Sequence, residues 1–255
     1  MRIVITSTIA MLALVALAIT VVETTRPPEK AEASVVGFTT TKVGDLIQIL
    51  FIDKAGNPAN ATGACSSPAA DNLAHGLTGY KFGSSALAYK TKTSTFPTYL
   101  ASADVQAAIN AAFSTVDAAT AKALFTNGGA TTAAINKKDG TNTIGFASMN
   151  SGTVGMAYAW YNSKTKTIVE FDIALSTAYT WATNAGKTGD CGGSTTAFDI
   201  QDIMTHEVGH PVGLNDVTAT GDSAQSMYGY GAKGELYKRD LAGGDKKGVT
   251  TLYGN

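Results

Sequence analysis

The segment His206-Glu207-Val208-Gly209-His210, continued by Pro211-Val212-Gly213-Leu214-Asn215-Asp216, constrains this chain more than any other feature. On a helix, side chains at i and i+4 leave one face with stems about 5–6 Å apart, so two imidazoles can grip one ion. Glu207 adjoins the first imidazole and can reach a water on that ion without being a ligand. Gly213 can take a left-handed conformation that ends the helix and turns the chain back, bringing Asp216 round as a third donor. A catalytic zinc needs three protein ligands and one open position. The competing reading makes the histidines a surface pair and Asp216 a turn residue, yet H-E-x-x-H arises by chance only about 0.001 times in such a chain. Pro211 is the irregular element. Inside a helix it removes the donor to the Glu207 carbonyl and costs about 3 kcal/mol, so a distorted helix end is expected.

Composition narrows the setting. The chain of 255 residues has 19 Lys and Arg against 20 Asp and Glu, a net charge of −1. No basic surplus is available for a nucleic-acid partner. With 15% charged and 44% hydrophobic residues the chain can build a full core and is not disordered. Two cysteines exclude a cysteine-dense scaffold or multi-Cys zinc module, and any His-based site must draw on His75, His206 and His210. After Arg2 an uncharged run extends from Ile3 to Val22, and Ala31-Glu32-Ala33 has the pattern signal peptidases cut after. The run is also long enough to span a bilayer. Residues 1–33 therefore read as a signal peptide or an N-terminal membrane anchor, and both place the remainder outside the cytoplasm.

Residues 34–80 form an N-terminal segment, either a pro-region or extra strands, with one strand-like stretch from Leu46 to Ile52. A loop with the sequon Asn60-Ala61-Thr62 follows. Val105, Ile109, Ala112, Phe113 and Val116 recur at helical spacing, predicting a helix from Ala103 to about Leu124 capped by Ser102. After a turn at Lys138-Asp139-Gly140-Thr141, strands are predicted over 143–149, 154–161 and 167–175, the last with one buried face. A long loop contains Cys191. The next helix is predicted from Ala197 behind a Thr196–Asp199 capping box, with Ile200, Ile203 and Met204 facing inward. A weakly helical tail runs over 240–253. The order of strand, helix, strands, helix, irregular segment and helix predicts one α+β domain.

Residues 206–216 follow H-E-x-x-H-x-x-G-x-x-H/D, and on that ground the chain resembles the metzincin metalloproteases. Asp occupies the third-ligand place as in snapalysin-like and some microbial matrixin-like members. Ser226-Met227-Tyr228-Gly229 is similar to the Met-turn of those families, and Tyr237 to Gly254 to the C-terminal helix of matrixin-like domains. The resemblance implies a zincin-like α+β catalytic domain over 81–255: a twisted, mostly parallel sheet with two long helices, an active-site helix, a Met-turn and a C-terminal helix. It further implies one catalytic Zn2+ on His206, His210 and Asp216, with Glu207 as general base and Met227 as a structural floor. The implied substrate is a protein or peptide lying extended along 167–175, taken as the edge strand. No cysteine-switch motif is present, so Cys65 is expected to pair with Cys191, metal capture being the alternative. Ca2+ through Asp139 or Asp190 has no specific motif behind it, and His75 is expected to be an ordinary loop or core residue. The function so implied is a secreted or surface-anchored zinc endopeptidase, monomeric, touching membrane only through its N-terminus. The alternatives are a metzincin scaffold that binds without turnover, and a zinc amidase or esterase on a non-protein substrate.

Overall fold

Period-two burial along the segment Leu46–Ala55, where Ile49, Phe51 and Asp53 face inward, marks the kind of strand that organises this structure. The structure is a computed structural model describing residues 38–56 and 65–255. The apolar run 3–22, the Ala31-Glu32-Ala33 pattern and the 60–62 sequon lie outside the described residues. Among the described residues no helix is long and apolar enough to cross a membrane. Residues Val36–Asn255 form one compact unit.

In chain order the strands and helices are β1 (Phe38–Val43), β2 (Leu46–Ala55), β3 (Gly76–Leu77), β4 (Leu87–Thr91), α1 (Ser102–Asp117), β5 (Phe125–Ala130), β6 (Asn142–Ala147), β7 (Thr153–Asn162), β8 (Thr167–Ser176), β9 (Trp181–Ala182), β10 (Phe198–Asp199), α2 (Ile200–Gly209), β11 (Leu214–Asn215), β12 (Tyr230–Gly231) and α3 (Gly243–Tyr253). The main sheet runs β1-β2-β7-β8-β6-β4-β5. β8, β6, β4 and β5 are mutually parallel and β7 is antiparallel to β8. This is the twisted, mostly parallel α+β sheet that the resemblance implied. The β1–β2 hairpin adds two antiparallel strands outside β7, and β12 pairs parallel with β2. The described residues 38–55 thus contribute two strands to the main sheet, and Gly76–Leu77 pairs with β11.

The apolar face of α1, with Val105, Ala108, Ile109, Ala112, Phe113 and Val116 buried, packs on the sheet and against α2. An aromatic cluster of Tyr89, Phe113, Phe125 and Phe171 joins helix to sheet, Phe113 stacking on Tyr89 at 3.8 Å between centroids.

Several expectations change. Strand 167–175 is not an edge: β8 lies between β7 and β6, and from Glu170 to Ser176 both its faces are buried. Glu170 and Asp172, which look solvent-facing by alternation, are buried because the 137–143 segment folds over them. Its backbone N–H groups donate to Glu170 from Asp139 and Gly140, and to Asp172 from Lys137 and Thr143. Ala101, not Ser102, is the N-cap of α1, with no side-chain cap bond. That helix stops at Asp117, where the carboxylate accepts from Leu124 N–H at 2.6 Å and Phe125 N–H at 3.2 Å and turns the chain into β5.

Candidate metal centre

α2 starts at Ile200, not at Ala197. Phe198 and Asp199 pair with Trp181 and Ala182 as a short bridge, leaving Asp199 as the cap, its carboxylate accepting from Asp202 N–H at 2.9 Å. Arg239 holds the same carboxylate with Nε at 2.8 Å and Nη2 at 2.6 Å, fixing the start of the helix. The helix ends at Gly209, with His210 as its C-cap. Pro211 therefore stands just past the last helical residue, where its missing N–H breaks no interior bond, and Gly213 N–H closes a turn on the His210 carbonyl at 2.9 Å. The φ of Gly213 is +105°, and a Cβ there would come 2.3 Å from the Tyr80 carbonyl oxygen, so no larger residue fits.

That turn brings Asp216 back beneath the helix. His206 Nε2 lies 3.2 Å from His210 Nε2, and Asp216 Oδ1 lies 3.2 Å from the former and 3.5 Å from the latter. Zinc bonds of about 2.0–2.1 Å at a tetrahedral centre put donor atoms about 3.3–3.4 Å apart, so the triangle fits that ion. All three side chains are nearly or fully buried, at 0%, 0% and 5% exposed. Each imidazole is oriented from behind: His206 Nδ1 is 2.8 Å from the Ser226 carbonyl and His210 Nδ1 is 3.2 Å from that of Leu214. A carbonyl accepts only from N–H, so Nδ1 carries the proton and the Nε2 lone pair is free for a metal.

Unsatisfied oxygens converge on the same point. Both carboxylate oxygens of Glu207, of Asp216 and of Asp53 are buried without a hydrogen-bond partner. Such groups are expensive to bury unless a cation stands among them. Burial lowers the pKa of His206, but Asp53, Asp216 and Glu207 outweigh it and push it up to about 10. Burial, partly offset by Asp216, takes His210 down to about 4. Burial pushes the Glu207 carboxyl well above its ordinary range. The site as built calls for positive charge. Two groups of candidate ligands occur among the described residues: His206 with His210 and Asp216, and Asp53 with His206 and Glu207.

The neighbouring residues hold this geometry. Gly155 on β7 leaves the room that Glu207 uses, since a Cβ there would fall 2.2 Å from its Oε1. Met227 is buried beneath the helix with its Sδ against Gly209, where a Cβ would fall 2.2 Å from the sulfur. Asp245 on α3 accepts from Ser226 N–H at 2.6 Å, Met227 N–H at 3.3 Å and Ala242 N–H at 3.1 Å, tying that turn to the C-terminal helix.

Cys65 and Cys191 are joined as a disulfide with Cα atoms 5.5 Å apart. His75 stands away from the site and bonds through Nδ1 to the Leu73 carbonyl. Asp139 caps its own turn, accepting from Thr141 N–H, and neither it nor Asp190 belongs to the candidate ligand groups. Sequence reasoning missed Asp53, Gly155 and Asp245. Asp53 has only period-two spacing to recommend it, and the other two have no local signature.

The sequence model of the matrixin family matches residues 81–254. None of the curated proteins matches the chain.

Proposed function

The chain belongs to the matrixin family of metallopeptidases, and from that premise we propose that it is a secreted or surface-anchored zinc endopeptidase with Glu207 as general base. The observation that carries the reading is the donor triangle of His206, His210 and Asp216, with edges of 3.2–3.5 Å, beside an unsatisfied buried Glu207 carboxylate. The apolar N-terminal run and the disulfide support an extracytoplasmic setting.

Zinc, when bound, polarises the scissile carbonyl and makes a water acidic enough to attack near neutral pH. The chain supplies the rest. His206, His210 and Asp216 hold the ion, with the Ser226 and Leu214 carbonyls fixing which imidazole nitrogen faces it. One Glu207 carboxylate oxygen takes the proton of the attacking water and returns it to the leaving amine. Burial raises the Glu207 pKa, and the positive charge of a bound ion opposes that shift, so that the carboxylate can take the proton at one step and release it at the next. Within the matched residues 81–254 the sheet has two outer strands, β5 and β7, and β7 is the one beside Glu207, through Gly155, so an extended peptide pairs its backbone there.

The test uses the full chain carrying an inserted protease site between Gly56 and Cys65, assayed intact and cut, with and without Glu207→Ala. We expect one zinc per chain in every form, and casein cleavage by the cut parent but not by cut Glu207→Ala. Zinc in both forms with no cleavage by either would leave a scaffold that binds without turnover. Turnover of ester or cell-wall amide substrates alone would make it an amidase or esterase. A parent without zinc would end the reading.

A further inference from the structure

The β7 strand, where an extended peptide has its natural partner, is already paired. β2 runs antiparallel to it from Leu46 opposite Asn162 to Lys54 opposite Thr153. On its other flank β2 runs parallel to β12, with Lys54 opposite Tyr230 and Ala55 opposite Gly231. Backbone bonds close both sides: Ala55 N–H to the Gly152 carbonyl at 2.8 Å, Lys54 N–H to that of Gly229 at 3.3 Å, and Gly56 N–H to that of Gly231 at 2.9 Å. The inward side chains of this strand are aimed at the metal centre. Phe51 lies flat on His210, with ring centroids 4.0 Å apart and planes within 8°. Asp53 stands opposite Gly155 in the register, and a Cβ on Gly231 would lie 3.7 Å from its Oδ2. It is 0% exposed, neither oxygen has a hydrogen-bond partner, and it shares a ligand-sized cluster with His206 and Glu207. The nearby Lys238 is not its ion-pair partner, since that ammonium is held by Glu235 at 3.0 Å and by the Tyr230 carbonyl.

We propose that β2 occupies the peptide seat of the matrixin domain and that Asp53 is a fourth ligand to the metal, so that the β1–β2 hairpin is an intramolecular inhibitor. This rests on the zinc-peptidase reading above. A strand paired on both flanks makes the backbone contacts that a substrate would make. The strand is inert as a substrate because it puts a carboxylate where a scissile carbonyl would have to sit. A carboxylate oxygen is a competent donor and fills the open position that turnover requires. The hairpin precedes Cys65, so a cut between Gly56 and Cys65 frees it while the disulfide to Cys191 retains the new N-terminal end.

The test reads the metal rather than hydrolysis. The full chain is loaded with Co2+ as parent, Asp53→Asn and Asp53→Ala, and visible absorption is followed during titration with acetohydroxamate. We expect the parent spectrum to resist the hydroxamate, and both variants to respond at concentrations at least tenfold lower. Equal response in all three would overturn the assignment of Asp53. In a second measurement, amide hydrogen exchange over 46–55 is recorded for Asp53→Asn with and without an Ala-Leu-Ala hydroxamate. At least tenfold faster exchange with the probe bound is expected, and unchanged protection would overturn the shared seat. Neither readout needs peptide cleavage, so an inactive enzyme sinks the peptidase reading and leaves these results standing. A chain that takes up no Co2+ sinks both.

Discussion

Asp245 gives the sharpest test of how the C-terminal helix serves the metal centre. Its carboxylate accepts from Ser226, Met227 and Ala242 N–H at 2.6, 3.3 and 3.1 Å. The carbonyl of that same Ser226 orients His206 at 2.8 Å. In Asp245→Asn the shape is kept, but one oxygen becomes an NH2 group that must face a backbone donor. Hydrogen bonds to a charged acceptor are worth about 1.5–3 kcal/mol against 0.5–1.5 for neutral ones, so two weakened bonds and one lost cost about 3 kcal/mol. Burial raises the pKa of Asp245, so the neutral amide recovers part of a desolvation cost, and a net loss of about 2 kcal/mol remains. For a domain of this size that lowers Tm by about 4–8 °C. Zinc affinity should fall about tenfold, since the groups orienting a ligand typically contribute 10–100-fold. Thermal unfolding in EDTA isolates the first effect, because bound metal would mask it. Competition with a chelator reads the second. A variant within about 0.5 kcal/mol of the parent and with unchanged competition would refute the coupling of α3 to His206.

Asp172 should make stability fall as pH rises. Burial lifts its pKa from 3.8 to about 7, so between those values the folded chain holds a proton that the unfolded chain has released. Folding stability then drops by about 1.4 kcal/mol per pH unit from about pH 4 to about pH 7. Urea unfolding at pH 5 and pH 7.5 should show a loss of stability smaller in Asp172→Asn than in the parent by about 3 kcal/mol; the same loss in both would remove Asp172 as a source. Met227→Leu should keep zinc affinity within about twofold and cost less than about 1.5 kcal/mol, because Met227 acts by packing against Gly209. A tenfold loss of zinc in a chelator competition would show that the sulfur does more than fill space.

What the sequence made legible was local. His206, Glu207 and His210 lie within one helical turn or so, and their relative placement follows from helix geometry alone. Gly213 is equally readable, because only glycine tolerates its φ of +105° against the Tyr80 carbonyl. The distorted helix end expected from Pro211 resolves into a helix that finishes at Gly209, before proline can cost anything. Short-range signals failed where long-range contacts decide. Thr196 lost the cap of α2 because Phe198 and Asp199 are drawn into a bridge with Trp181 and Ala182, and Arg239, far along the chain, grips Asp199. Alternation along 167–175 cannot reveal that a loop will cover Glu170 and Asp172, nor that 153–162 rather than 167–175 faces outward in the matrixin sheet. Strand order is a property of pairings between distant segments, and no residue within a strand encodes its neighbour.

Asp53 shows the same limit at its most consequential. Its position depends on the register in which Leu46–Ala55 meets Thr153–Asn162, with Phe51 opposite Ala157 and Asp53 opposite Gly155. A slip of one residue would turn Phe51 and Asp53 to the opposite face and point Leu50 and Ile52 at the metal centre. The hydrophobic pattern tolerates either arrangement, because apolar residues stand on both sides of the strand from Ile49 to Ile52. What discriminates is the deep end, where His210 offers a flat ring surface and His206 with Glu207 a group of candidate ligands. Phe51 suits the first and Asp53 the second. The register observed is therefore the one that sets both residues against the candidate ligands, and a residue that looks like the misplaced charge of an apolar strand is placed beside His206 and Glu207.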